Sequence, residues 1–217
     1  MDENWQHLQA IARKLTADYA DAIFIGGIAV SAHAGRLGAR FQEASHDADL
    51  YISLVGKAAL RDRYEVRRNS NLGKDSAVIE GEDVDLYVEH QHPLGVPFDA
   101  IAAHAQDIDG IRVAALEHLL VLKLDAAQDR MGSGKGEKDV RDVARIVALL
   151  EKPRKGVLSD YMTGERSKTL KKIMGRPDLP RLLGLNRHEG SRFGATLNAH
   201  TKAIQGLTRP GLNGFSL

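Results

Sequence analysis

Asp47 and Asp49 stand two residues apart in DADLYIS, where a polar stretch runs into Leu50-Tyr51-Ile52. Side chains on a strand alternate faces, so these two carboxylates point the same way. Neighbouring carboxylates repel unless a cation lies between them, and hard oxygen ligands at this spacing suit Mg²⁺, which also carries nucleotide phosphates. A polar strand end facing water would present the same two residues. The sequence upstream favours chemistry. The apolar run Ile23-Phe24-Ile25 stops on Gly26 and Gly27, and backbone amides freed by glycine can approach a phosphate closely. Two-metal phosphoryl chemistry needs a further acid. Asp85 is the candidate, because it interrupts the apolar run VDLYV, where a carboxylate is costly without a partner. Its alternative is a water-facing place on an edge strand.

A second group lies within LKLDAAQDRMGSGKGEKDVRD: Lys123, Arg130, Lys138 and Asp139, with Asp142 beyond. Lys123 and Arg130 are two helical turns apart and share a face. A lysine among leucines either snorkels to water or is held for an anion. Two cations on one face suit a triphosphate and the charge of a departing pyrophosphate. Lys138-Asp139 could equally be a capped, ion-paired helix start. The run Gly132-Ser133-Gly134-Lys135 resembles a phosphate-binding loop, but its required first glycine would fall at Asp129 and no strand precedes it. His90 and His92 lack a third metal ligand, and His46 would point away from Asp47 across the strand.

The elements that must carry these residues are legible from periodicity. Trp5, Leu8, Ile11, Ala12, Leu15 and Tyr19 recur at helical spacing. Strands are expected at Ile23–Ile25, Asp47–Leu54, Tyr64–Arg68, Ala77–Glu80 and Val84–Val88, with a short helix from Ile28 to Ala34 and another near Gly56–Asp62. The stretches LGARFQEASH, NSNLGKDS and MGSGKGE read as loops. From Val113 the period becomes helical. Helices are expected over Ala114–Arg130, Lys138–Leu150 (closed by Pro153), Tyr161–Met174 and Arg192–Leu207, then an irregular tail, RPGLNGFSL. Strands first and helices afterwards make an α+β fold. The expected division is an α/β core at 1–112, a helical segment at 113–152 and a basic, mostly helical extension at 153–217.

Composition narrows the class. A chain of 217 residues, 43% hydrophobic and 27% charged, can bury a full core. No apolar run nears 18 residues, so no membrane span is expected. The polar opening MDENWQHLQ does not read as a signal peptide. The absence of cysteine excludes disulfides and thiolate metal sites. These features fit a cytoplasmic protein. The net charge of +1 hides an asymmetry: 13 Lys and Arg against 5 Asp and Glu from Glu151 onward, and 17 against 24 before it. A basic segment of this kind suits a polyanion such as RNA, a solvated face, or pairing with acids of the same molecule.

The combination GGIAVSAH…DAD, a later strand acid, and ALEHLLVLKLDAAQDR…KDVRDVARIVALL resembles the nucleotidyltransferase superfamily over about Ile23 to Leu150. Within it the nearest likeness is to abortive-infection type nucleotidyltransferase-like toxins. The resemblance implies a small mixed sheet flanked by helices, with a helical part closing the cleft. It also implies metal binding by Asp47, Asp49 and Asp85, using two Mg²⁺ ions or Mn²⁺, and nucleotide binding by Gly26 and Gly27. Lys123, Arg130, Lys138 and Asp139 would contact the nucleotide or support the site. The activity implied is transfer of a nucleoside monophosphate from NTP to an acceptor hydroxyl. The acceptor would be an RNA such as tRNA, met through the basic C-terminal segment, and a cognate antitoxin would be a partner. The family pattern is departed from at Gly27, where many relatives carry serine, and in the long Arg36–His46 loop. Those departures suit a second expectation, a non-catalytic protein of the same fold that binds nucleotide, RNA or a partner. A third is nucleotidyl transfer to a small molecule such as an antibiotic.

Overall fold

The computed structural model describes residues 3–45, 47–69 and 73–208. His46 and the tail 209–217 therefore lie outside the described residues. The chain divides into two compact units, Met1–Ala115 and Leu116–Leu217.

The first unit is built on a mixed sheet. Its strands are β1 (Ile23–Phe24), β2 (Ala48–Ile52), β3 (Val66–Asn69), β4 (Lys74–Ile79), β5 (Glu82–Val88), β6 (Gln106–Ile108) and β7 (Ile111–Val113), in the spatial order β3-β4-β5-β2-β1-β7-β6. The β2–β5 and β1–β7 pairs are parallel and the remaining neighbours antiparallel. Alternation sorts the side chains. Phe24, Leu50, Ile52, Ala77, Ile79, Val84, Leu86 and Val88 are buried. Asp49, Lys74, Ser76, Asp85 and Tyr87 take the alternate positions and are half-buried. Helix α1 (Glu3–Asp18) buries Trp5, Leu8, Ile11, Ala12 and Leu15, each large apolar side chain stabilising by about 1.5–3 kcal/mol. Helix α2 (Gly27–Ala34) follows β1, α3 (Leu54–Arg61) follows β2, and α4 (Phe98–His104) precedes β6. Residues 35–41 form two short 3₁₀ turns rather than an open loop.

Several elements differ from the sequence reading. Strand β2 starts at Ala48, so Asp47 falls in the bend before it. Strand β4 starts at Lys74, inside the stretch read as a loop, and α4, β6 and β7 had no counterpart in the periodicity.

The second unit is helical. It contains α5 (Leu116–Asp129), α6 (Gly134–Leu149), α7 (Lys155–Leu158), α8 (Gly164–Met174), α9 (Leu179–Leu182) and α10 (Arg187–Gln205). MGSGKGE is mostly the first turn of α6, capped by the Ser133 hydroxyl, which accepts a hydrogen bond from the Gly136 amide. Three arginines of the basic segment are tied to acids within this unit. Arg154 binds both oxygens of Glu117 at 2.9 and 2.8 Å, Arg166 binds Asp125 at 2.6 and 2.7 Å, and Arg176 bridges Glu137 and Asp178. Part of the positive charge thus fastens the helices. No helix of the described residues is long and apolar enough to cross a membrane.

Among the buried residues of the sheet lies a polar cluster that fixes β3, β4, α3 and the turn after β5. Asp75 accepts hydrogen bonds from Lys57 at 2.5 Å and Arg68 at 3.4 Å. His92 Nδ1 accepts from the Val88 amide at 2.8 Å. Burial depresses the His92 pKa below 6.5, with the Arg68 and Lys57 cations adding to the fall against the opposing pull of Asp75. Burial alone would raise Asp75, but the Lys57 hydrogen bond and charge outweigh it and hold that carboxyl below 3.8. In both cases the unfolded chain binds more protons than the folded one. The His92 contribution is present above pH 6.5 and is lost as pH falls through its lower folded value. The Asp75 contribution is present above 3.8 and is lost below its own. Urea unfolding should therefore show stability declining from pH 7.5 to pH 5, about the ordinary histidine range. His92→Gln should flatten that decline; an equally steep decline in the variant would exclude His92 as its source.

Candidate functional site

Strand pairing brings two of the sequence-selected carboxylates together. In the parallel β2–β5 ladder Asp49 is the register partner of Asp85, so the two side chains leave the same face of adjacent strands. The hydrogen bond from the Ile25 amide to the Asp49 carbonyl, 3.0 Å, continues the β1–β2 pairing to the edge of Gly26. There the chain turns into α2, whose first helical bond runs from the Val30 amide to the Gly26 carbonyl.

Gly26 has no room for a side chain. A Cβ on it would lie 1.7 Å from Asp49 Oδ2 and 2.7 Å from Asp49 Cβ. The carboxylate therefore sits directly against the backbone at the N-terminus of α2, where unsatisfied amides favour negative charge. Gly27 is the first residue of that helix and is buried. Two contacts hold α2 in place: the buried His33 donates from Nε2 to the Ala114 carbonyl at 3.0 Å, and Gln42 donates to the Ser31 carbonyl at 3.3 Å.

Asp47 is half-buried, and its Oδ1 accepts from Ser45 Oγ at 3.2 Å. Asp85 is ion-paired through Oδ2 with Lys74, each side chain only 16% exposed. Lys74 was hidden from the sequence reading in NSNLGKDS, although the alternation of Lys74, Ser76 and Val78 with Asp75, Ala77 and Ile79 carries a strand signal. Among the described residues no three His, Asp or Glu side chains are gathered into a metal cage. Mg²⁺ does not require one. It is commonly held by one or two carboxylates, with waters and substrate phosphates completing its shell. Asp49 and Asp85 fit that donor set, the more so because the second already holds a cationic group.

The helical group is organised differently. Lys123 on α5 meets Asp139 and Asp142 on α6 at 3.4 and 2.8 Å. Arg130 meets Asp139 at 2.9 Å, and Arg145 meets Asp142 at 3.1 Å. Lys123, Asp139, Asp142 and Arg145 are all buried. Gly136 permits this packing, since a Cβ there would lie 2.2 Å from the Arg130 carbonyl. Burial holds the Asp139 pKa above the ordinary carboxylate value against the pull of Lys123 and Arg130, and nearby Asp142 adds to the rise. Lys138 is half-buried on α6 beside them. The charges of Lys123 and Arg130 are thus engaged by Asp139 and Asp142. His90 is exposed and His92 is structural.

Two outcomes are expected from stability measurements. Gly26→Ala should cost about 1–3 kcal/mol through overpacking. Adding Asp49→Ala should recover part of that, because the carboxylate is gone and only the contact with the Cβ of residue 49 is left; strictly additive costs in a double-mutant cycle would contradict the contact. Lys123→Met leaves two buried acids short of a cation and should cost about 3–5 kcal/mol in urea unfolding. A cost below about 1 kcal/mol would mean that solvent relieves the network.

No protein-family model matches the chain, and no match was found among the curated proteins. Solved structures do match. JHP933 from Helicobacter pylori aligns with a TM-score of 0.53 over 95% of this chain and 95% of its own, at 15% identity. A structure from H. pylori assigned as a nucleotidyltransferase aligns with a TM-score of 0.51 over 97% of this chain and 100% of its own, at 14% identity. At such identities the likeness is one of fold, and the α+β architecture expected from the sequence is the architecture found.

Proposed function

We propose that the chain is an Mg²⁺-dependent nucleotidyltransferase that moves a nucleoside monophosphate from NTP to an acceptor hydroxyl. The observation that carries this reading is the register pairing of Asp49 with Asp85 beside the bare backbone of Gly26. The fold shared with a structure assigned to that activity supports it.

In this reading Asp49 and Asp85 are the metal ligands, and Asp47 joins them from the bend before β2. The metal, when bound, supplies charge neutralisation at the phosphates and a lowered pKa for the attacking hydroxyl. Gly26 and Gly27 let the α2 amides approach the phosphate. Asp85 orients the acceptor hydroxyl and takes its proton as the oxygen attacks the α-phosphorus and pyrophosphate leaves. Lys123, Arg130, Lys138 and Asp139, for which the sequence resemblance implies nucleotide contact or support, belong to the helical unit.

An RNA acceptor such as tRNA is supported by α8. Lys168, Lys171 and Lys172 are exposed there at spacings that share one helix face, the pattern of a phosphate-contacting stripe. The sequence resemblance extends the reading to toxin-like modification of RNA restrained by a cognate antitoxin. One observation favours a second reading, nucleotide binding without turnover: Lys123 and Arg130 are both occupied by acids.

Incubation with α-labelled NTP, Mg²⁺ and total RNA separates the two. Label should transfer to RNA, and Asp49→Asn with Asp85→Asn should reduce transfer by about 10²-fold or more. Transfer unaffected by the double substitution would sink the assignment. Mg²⁺-dependent NTP binding by calorimetry, with no transfer to RNA, protein or small hydroxyl compounds, would establish the non-catalytic reading.

A further inference from the structure

We infer that Lys74 is the resident counter-cation of the candidate metal site, and that a divalent metal binds by displacing the Lys74 ammonium from Asp85. The inference rests on the reading of Asp49 and Asp85 as metal ligands.

The geometry is that of a built contact. Ser76 is the register partner of Asp85 across β4–β5. Lys74 stands two residues along β4 on the same face, and its Nζ reaches Asp85 Oδ2. The ammonium also lies 5.7 Å from the centre of the Tyr87 ring, within the range of a cation–π attraction. With both partners 16% exposed, the pair is far more sheltered than the surface pairs whose side chains splay freely in water. Elsewhere on this face the Arg67 guanidinium is taken by Glu65, in a pair whose two side chains are 70% and 73% exposed. Lys74, by contrast, is held at Asp85.

Charge counting gives the consequence. Asp49, Asp85 and the Lys74 ammonium together carry a single negative charge. A divalent ion balances both carboxylates by itself, and it needs the Asp85 oxygen that the ammonium occupies. Lys74 thus offsets the charge of Asp85 before metal arrives. The same contact weakens the site for the metal. Lys74 is a positioning residue that sets metal affinity, and it leaves the ligands themselves unchanged.

Mn²⁺ alone, without nucleotide, is the probe, with free ion measured by electron paramagnetic resonance. Lys74→Gln should bind Mn²⁺ about three- to tenfold more tightly than the wild type, the range expected from losing a competing ion pair. Lys74→Arg, which keeps the charge, should stay within about twofold of the wild type. In an Asp85→Asn background Lys74→Gln should make no difference. Equal or weaker Mn²⁺ binding by Lys74→Gln would overturn the inference while leaving the metal-site reading intact. Absence of Mn²⁺ binding in the wild type and every variant would overturn that reading and this inference with it. Should Lys74→Gln fail to fold, lysine-selective NMR of the wild type decides. Added Mg²⁺ should move the Lys74 ammonium resonance to the position of solvent-exposed lysines, and an unmoved resonance would overturn the displacement.

Discussion

The carboxylate of Asp49 occupies the space into which any side chain at residue 26 would project. Keeping that space empty constrains much of the sheet unit. The antiparallel β1–β2 pairing must bring Ile25 level with Asp49, which sets Gly26 against the acid's side chain, and β1 must stop there so that α2 can begin with its amides beside the acid. The parallel β2–β5 register then delivers Asp85 to the neighbouring position. A one-residue slip in either ladder would send one carboxylate to the opposite face, among the leucines and valines of the core. The apolar face therefore specifies the polar one.

The two units use charge in contrasting ways. On the polar face of the sheet, Asp49 and Asp85 are half-buried, and Lys74 pairs with Asp85 alone in a sheltered but not sealed setting. In the helical unit, Lys123, Asp139, Asp142 and Arg145 form a network closed to water and fixed by packing between α5 and α6. Breaking such a network is costly because the remaining charges stay buried, so it suits a fixed support. The Asp75 cluster among the core residues of the sheet is of this second kind, tying four segments together through one buried carboxylate.

The parts of this arrangement that follow from period and residue type were legible in the sequence. Asp49 stood out by its spacing from Asp47, Asp85 as an acid inside an apolar run, and Gly26 as the break after a short strand. The helical half announced itself by leucine and valine spacing. What stayed hidden had physical reasons. Strands β6 and β7 have three residues each, too few for alternation to register. The Asp109-Gly110 pair between them, both at positive φ, was the available signal, since that dipeptide closes tight hairpins. Glycine-rich composition disguised the first turn of α6, although Ser133 three residues before Gly136 was a helix cap in plain view. Lys74 could not be assigned from sequence, because its partner is set by strand register and not by proximity along the chain.

The separation of Asp49 and Asp85 is fixed by a main-chain ladder between interior strands, at the spacing of about 4.8 Å common to all sheets. No loop contributes to it. The mostly exposed stretch from residue 35 to 40, on the way to β2, can therefore lengthen, shorten or change composition over evolutionary time without moving the acid pair. Loops that run over the surface tolerate such change far better than the elements they join. A scaffold built this way separates two kinds of inheritance: the spacing of the acid pair passes down through backbone pairing, while the lead-in to the strand is free to drift.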